Sequence, residues 1–201
     1  MQQNPHGYAR FIFNLIAPIY SLLDNYVKRA FRKSFANVLE VVDIKDKDVL
    51  DIGTGPGAWA ALFSQNGAKR VHGVDIAEKM IFEAKKRYSP KISFSLSNGN
   101  DFSEFPDNSF DIVTASLVLH GMKQQYRQKI VSEMQRISKK YVIVNDFYGK
   151  TPWIVRFFEF LERSDYKHFK QNFLNELSAE FVNIKRIEAS AGISVYFGEK
   201  K

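Results

Sequence analysis

The sequence predicts an α/β chain on a doubly wound sheet of seven strands, mostly parallel, with the last strand reversed and helices on both faces. Three observations predict it. Strand-like and helix-like segments alternate from residue 48 to residue 147. The strand segments are continuous apolar runs rather than alternating patterns, as in sheets covered on both faces. Finally, "FVNIKRIEAS" and "ISVYFGEK" are separated only by Ala191 and Gly192, and strands joined so tightly pair antiparallel.

The elements follow in order. Val27, Ala30, Phe31, Phe35, Val38 and Val42 recur at helical spacing, which predicts a long helix over about 19–42 after a shorter one over Tyr8–Ile16. "DVLDI", "RVHGVD", "KISFSLS", "FDIVTAS" and "YVIVNDF" read as strands. "AWAALFSQ", "EKMIFEAKKRY" and "YRQKIVSEMQRIS" read as the helices between them, the last with Ile130, Met134 and Ile137 on one face. Residues 153–179 read as helical and aromatic, with Phe157, Phe160, Leu161, Phe169, Phe173 and Leu177.

Composition narrows the chemistry. With 201 residues, 45% of them apolar, the chain can bury one sizeable core. It has no cysteine. That removes disulfides, thiolate metal sites and cysteine nucleophiles, and fits a reducing cytoplasmic setting. The four histidines, His6, His72, His120 and His168, lack metal-ligand spacing. The start of the chain does not read as a secretory signal, because "FIFNLIAPI" is broken by Asn14 and Pro18. The formal charge is +7, from 29 Lys and Arg against 22 Asp and Glu. A lysine-rich solvated surface accounts for that more simply than a polyanion partner.

The stretch "VLDIGTGPGAWA", residues 49–60, joins the first strand to the next helix. Glycine there leaves no Cβ to block a ligand at the carboxyl end of a strand. The bland alternative is a tight turn. Asp75 ends the second strand, where a carboxylate can accept both hydroxyls of a ribose or cap the following helix. Gly53-x-Gly55-x-x-Ala58 also satisfies a loose dinucleotide pattern. Yet Pro56 removes one N–H from the helix start, and Asp51 places negative charge beside it. The loop suits a cationic ligand better than a pyrophosphate.

"VLDIGTGPGAWA" followed by "VHGVDIAEKMIFEA" resembles the first two motifs of class I S-adenosylmethionine-dependent methyltransferases, which share a Rossmann-like sheet. "NGNDFSEFPDNSFDIVTASLVLHGM" resembles that family's third and fourth strand region. "NLIAPIYSLLD" and "GISVYFGEKK" are similar to its ubiquinone/menaquinone-biosynthesis branch. The resemblance implies one domain over 1–201: a helical lid over 1–42, and a cofactor-binding core over 46–201 with an aromatic helical insertion at about 151–179. It implies S-adenosyl-L-methionine as the cofactor. Asp51, Gly53, Thr54, Gly55 and Gly57 would border its methionyl part, and Asp75 its ribose. Ile76 would pack on the adenine ring, and Phe102 would stand beside the group that meets the adenine edge. Ala115 and Ser116 would line the cofactor at the end of the fourth strand, Tyr20 would reach it from the N-terminal helices, and Met80 would be a further cofactor contact. The family usually has Gly-Asp after its third strand, whereas this chain reads Gly99-Asn100-Asp101. Either Asn100 or Asp101 can therefore hold the adenine edge.

Methyl transfer from a sulfonium is an in-line displacement, so alignment and exclusion of water are the protein's main tasks. A base is needed only where the acceptor carries a proton it must lose. His120 and Asp146 are the candidates, each with a structural role as the alternative. No Asn-Pro-Pro-Tyr-like tetrapeptide follows the fourth strand, so nucleic acid is not expected as a partner. The 18 phenylalanines concentrate at 11–35 and 157–181, which favours a small, hydrophobic or lipid-like methyl acceptor. "KRAFRK", Lys28–Lys33, adds a weak anionic membrane contact as a further partner reading. An NAD(P)-dependent oxidoreductase and a non-catalytic S-adenosylmethionine-binding protein are the competing functions.

Overall fold

The computed structural model describes residues 7, 10–15, 24–99, 101–149, 165–190 and 192–201. Tyr8, Tyr20, Asn100, Phe157, Phe160 and Leu161, with the rest of 150–164, lie outside them. Residues 10–15 are helical. The order then runs α1 (Asp24–Val41), β1 (Asp48–Ile52), α2 (Ala58–Gln65), β2 (Arg70–Asp75), α3 (Glu78–Tyr88), β3 (Ser93–Leu96) and β4 (Phe110–Ser116). A 3₁₀ turn (Leu119–Gly121), α4 (Gln124–Ile137), β5 (Ser138–Phe147), α5 (Tyr166–Glu180), β6 (Phe181–Ser190) and β7 (Ile193–Lys200) complete it.

The seven strands form one sheet in the order β3-β2-β1-β4-β5-β7-β6. The first five are parallel, and β7 runs antiparallel to both β5 and β6. Period-2 alternation along each strand sorts its residues between two cores. Val49, Ile112, Ile143 and Val195 face one layer, with Phe35 and Val38 of α1, Trp59 and Phe63 of α2, and Ile81 and Ala84 of α3. Leu50, Val113, Val142 and Val144 face the other, with Ile130 and Met134 of α4 and Phe169, Phe173 and Leu177 of α5. Each fully buried aliphatic side chain stabilises by about 1.5–3 kcal/mol.

Strand β5 begins at Ser138, three residues before the segment "YVIVNDF". Helix α4 stops at Ile137, and Ser138 is already extended, with ψ 142°. Pairing with β4 overrides helix propensity there, because Phe110 registers with Ser138.

Going outward from β1, the chain builds β2 and β3 to one side and β4 and β5 to the other. The order reverses between β1 and β4, and ligands of such sheets bind outside the strand ends at that switch point.

Candidate active site

At the tip of β1 the chain turns through Gly53–Gly57 into α2. Three glycines serve different ends there. A Cβ on Gly53 would lie 2.5 Å from Cγ2 of Val118, and one on Gly57 2.9 Å from Cδ2 of Tyr88. These two let neighbouring chain pack close. Gly55 differs: its φ is +54°, and an added Cβ would meet nothing within 4 Å. Its bareness faces open space.

Two buried carboxylates flank this loop. Asp51 is 0% exposed. Its Oδ2 accepts the Thr54 hydroxyl at 2.7 Å, while its Oδ1 has no partner among the described residues. Burial pushes the Asp51 carboxyl up to about 7. The Thr54 bond opposes that rise and the charge of Asp75 adds to it. Asp75 accepts the Gly55 N–H at 2.9 Å through Oδ2 and the Ala77 N–H at 2.9 Å through Oδ1. Burial raises its carboxyl too, against the bonds from Ala77, Gly55 and Ile76. A carboxylate offers about four lone-pair sites; Ala77, Gly55 and Ile76 draw on three of them, so Asp75 is left short of saturation. Two acids driven toward neutrality beside one loop form a site that gains from a cation.

The remaining predicted positions surround this pair. Ile76 is half-buried beside Asp75, and Met80 is buried with Ala77 against Phe13 of the helical residues 10–15. Asn14 and Arg10 of that segment bond Glu78, Asn14 Nδ2 at 3.1 Å, and the Lys79 N–H donates to Asn14 Oδ1 at 3.0 Å. The N-terminal segment thus sits on the start of α3, next to the tip of β2. Asp101 is exposed and accepts the Ser103 N–H at 3.0 Å. That turn holds its carboxyl below the usual range. It lines a shallow pocket of about 270 Å³ with Leu96, Ser97 and Asn98. Phe102 is 1% exposed and Ala115 0%, both in the core beneath. Ser116 accepts a 2.9 Å bond from Asn145 Nδ2.

At the tips of β4 and β5 a second constellation closes. Leu117 takes a left-handed φ of 54°, and its N–H donates to the Asn145 carbonyl at 2.8 Å. This turns the chain so that Val118 covers Gly53 and His120 points back to β5. His120 Nδ1 lies 2.6 Å from Oδ1 of Asp146. Asp146 is 0% exposed, and it also accepts the N–H groups of Leu119 at 3.1 Å, His120 at 3.2 Å and Phe147 at 2.8 Å. A carboxylate so placed holds the imidazole in one tautomer, with Nε2 as the basic atom. The rings of Phe147, Tyr166 and Phe169 stand edge-on to His120 at 4.7, 6.4 and 6.4 Å.

Residues not anticipated in the sequence hold this half together. Buried Arg127 bonds both oxygens of Glu176, at 2.7 and 2.8 Å, and the Met122 carbonyl at 2.6 Å. It ties α5, which carries Tyr166 and Phe169, to the turn that carries His120. Asn145 has a buried Oδ1 without a partner among the described residues. The polar pair Asn145-Asp146 at the end of an apolar run was its visible signal. His72 lies elsewhere, in a cavity of about 310 Å³ at the amino ends of β2–β4. Among the described residues, no three His, Asp or Glu side chains are grouped to hold a metal ion.

Known proteins share this fold. Residues 49–141 match the family model described as "Methyltransferase domain". The chain is 29% identical over 142 residues to a demethylmenaquinone methyltransferase of Chlorobaculum tepidum, a match covering 63% of this chain and 57% of that protein. It is 24% identical over 152 residues to a phosphoethanolamine N-methyltransferase of Plasmodium falciparum, covering 71% and 56%. The chain thus spans just over half the length of these curated relatives. Among solved structures, magnesium protoporphyrin IX methyltransferase from Synechocystis PCC 6803 with bound SAM superposes with a TM-score of 0.72 at 17% identity, covering 100% of this chain and 99% of that one. A DhpI–SAH complex gives 0.75 at 16%, covering 100% and 98%. The fold is that of class I methyltransferases. The likeness to the family model is confined to residues 49–141, the strands and helices from β1 to β5.

Proposed function

We propose that the chain transfers the methyl group of S-adenosylmethionine to a small, hydrophobic or lipid-like acceptor. One observation carries the proposal. At the switch point, a glycine facing open space lies between two buried carboxylates that gain from a cation, and a carboxylate-held imidazole stands on the adjoining turn. The match of residues 49–141 to a methyltransferase domain favours this over a nicotinamide-dependent reaction.

In this reading the glycine loop, with Thr54, borders the methionyl part, and the unpartnered Oδ1 of Asp51 takes its ammonium. Asp75, left short of saturation, accepts the ribose hydroxyls. Ile76 lies along the adenine, Asp101 meets its edge, and Met80, Phe102 and Ala115 back the site from the core. Asn100 and Tyr20 remain candidates outside the described residues. When bound, the sulfonium supplies an activated methyl group. The chain's residues align the acceptor, exclude water and remove a proton where the acceptor carries one: Nε2 of His120 receives it, and Asp146 stabilises the imidazolium. Asp146 acts through His120 and is a positioning residue. The aromatic rings around His120 support an apolar acceptor. The exposed Arg29, Arg32 and Lys33 of α1 support the weak contact with an anionic membrane.

Incubation of the protein and methyl-labelled S-adenosylmethionine with a cell extract tests the acceptor. Label recovered in the lipid-soluble small-molecule fraction is expected, and label confined to protein or nucleic acid would refute the acceptor class. Calorimetry with S-adenosylhomocysteine and with NAD tests the cofactor, and heat with NAD alone would overturn it. His120→Ala is expected to lower turnover far more than cofactor affinity.

A further inference from the structure

We infer that α3, together with the helical residues 10–15, forms a docking face for an anionic lipid surface. Phe82 projects from the outward side of α3 and is 65% exposed. A single exposed apolar side chain is ordinary, but one set among lysines on a helix face has the make-up of an interfacial contact. Lys79, Lys85 and Lys86, also exposed, lie within one turn of it on the same side of the helix. The acidic residues of that helix are spoken for: Glu78 pairs with Arg10, and Glu83 lies 3.6 Å from Arg87. Beside this face, the segment 10–15 holds Phe13 against Met80 and leaves Phe11 65% and Leu15 63% exposed, one turn apart.

Apolar side chains ringed by lysines fit the boundary between lipid headgroups and acyl chains. Phenylalanine and leucine enter the boundary, while the lysine stems lie along it and keep their ammonium groups at the phosphates. The charge selects the occupant. A second copy of the chain would set Lys79, Lys85 and Lys86 against the same cations, whereas an anionic bilayer complements them. The positive balance extends beyond the face, since Arg70 and Lys85 both lower the pKa of His72 at the foot of β2, after burial itself. Among the described residues no helix is long and apolar enough to cross a membrane, so the contact lies on the surface. Helix α3 starts at Glu78, three residues after Asp75, which places the face beside the crevice. The inference rests on the lipid-like acceptor for its use, while the contact itself is read from exposed side chains.

Sedimentation with vesicles tests it without any methyl transfer. Phosphatidylcholine vesicles containing about a third phosphatidylglycerol should bind the protein, pure phosphatidylcholine should not, and binding should weaken as salt is raised. The triple variant Lys79→Gln, Lys85→Gln, Lys86→Gln should lose roughly tenfold to a hundredfold in partitioning. Phe82→Trp should add blue-shifted emission, read as a difference from the unsubstituted protein, only with the anionic vesicles. Calorimetry with S-adenosylhomocysteine should be unchanged in both variants, which separates loss of the face from loss of the fold. Equal binding to neutral vesicles, a triple variant that partitions normally, or an unshifted emission from the Phe82→Trp variant would overturn the inference. So would a concentration-dependent dimer that buries the new indole. Failure here with label still recovered in the lipid-soluble fraction would leave the acceptor reading standing.

Discussion

At the tips of β1 and β2 the carboxylates keep unfilled capacity, whereas at the tips of β4 and β5 the carboxylate of Asp146 is closed on its neighbours, although the buried Oδ1 of Asn145 beside it has no partner among the described residues. Asp51 retains an unpartnered Oδ1, and Asp75 is held by the backbone N–H groups of Gly55, Ala77 and Ile76 without being saturated. Asp146, by contrast, receives three N–H groups and the His120 imidazole. The first half is arranged for a ligand that brings charge and hydroxyls. The second is arranged before any ligand arrives, to fix the direction of one imidazole. Binding and proton transfer make different demands on carboxylates, and the two halves of the crevice separate them.

The sharpest break is Gly55→Val. A β-branched residue at a φ of +54° is strained, and its side chain would occupy the open space over the loop. Binding of S-adenosylhomocysteine should fall by more than about a thousandfold, the equivalent of roughly 4 kcal/mol. Circular dichroism should stay native. Near-normal affinity would reduce the loop to a turn. Asp75→Ala comes next, at roughly 30- to 1000-fold, since bonds to a charged group contribute about 1.5–3 kcal/mol each and two to one ribose are not additive. Asp75→Asn keeps one acceptor oxygen and should lose less. A 2′-deoxyribose analogue should bind the native protein more weakly and cost the Ala variant little further. If the penalties simply add, Asp75 serves only Gly55 and Ala77.

Asp146→Asn probes the other half. An amide keeps one acceptor oxygen, and its NH2 faces either the Leu119 and His120 N–H groups at Oδ2 or the Phe147 N–H and the imidazole at Oδ1, so the imidazole loses its tautomer or its direction. Turnover should drop about 10- to 100-fold, with S-adenosylhomocysteine affinity within about twofold of native. Equal losses in both would mean that the residue serves the fold of the turn alone.

The same contrast explains what could be read in the sequence. Asp51, Gly53, Gly55 and Asp75 lie within one strand–helix–strand unit, where loop position follows from the apolar runs on either side. Their placement was legible for that reason. His120 and Asp146 were visible only as separate candidates, because they are 26 positions apart and meet through the β4–β5 register. The Arg127–Glu176 pair spans 49 positions between two amphipathic helices. Nothing local distinguishes a buried arginine from the solvated cations around it, such as Lys123 and Lys129. Asp101 and Phe102 show the converse: adjacent in sequence, they part in the structure, one to solvent and one to the core. The early start of β5 was hidden because Ser138-Lys139-Lys140 carries no apolar run.

The smallest effect bears most directly on why the first half is left open. Burial moves the Asp51 carboxyl from 3.8 to about 7 in the folded protein. Between those values the native chain holds a proton that the unfolded chain has released. Its contribution to stability is therefore full below 3.8 and is lost as pH rises toward 7, at up to about 1.4 kcal/mol per unit. The Tm of the ligand-free protein should decline over that window for this group. A ligand ammonium favours the ionised carboxylate, so binding below pH 7 must expel the proton. Affinity for S-adenosylhomocysteine, which retains the ammonium, should rise by up to about tenfold per unit as pH approaches 7 and level off above it. Calorimetry at pH 6 in buffers of different ionisation heat should register the release of close to one proton per ligand. Asp51→Asn, which keeps an acceptor for Thr54, should remove that slope, raise the ligand-free Tm at neutral pH and weaken binding. A native protein whose affinity is flat across this range, with no proton released, would mean that Asp51 does not meet the cation. The open capacity at the tip of β1 would then serve the Thr54 turn and not the ligand.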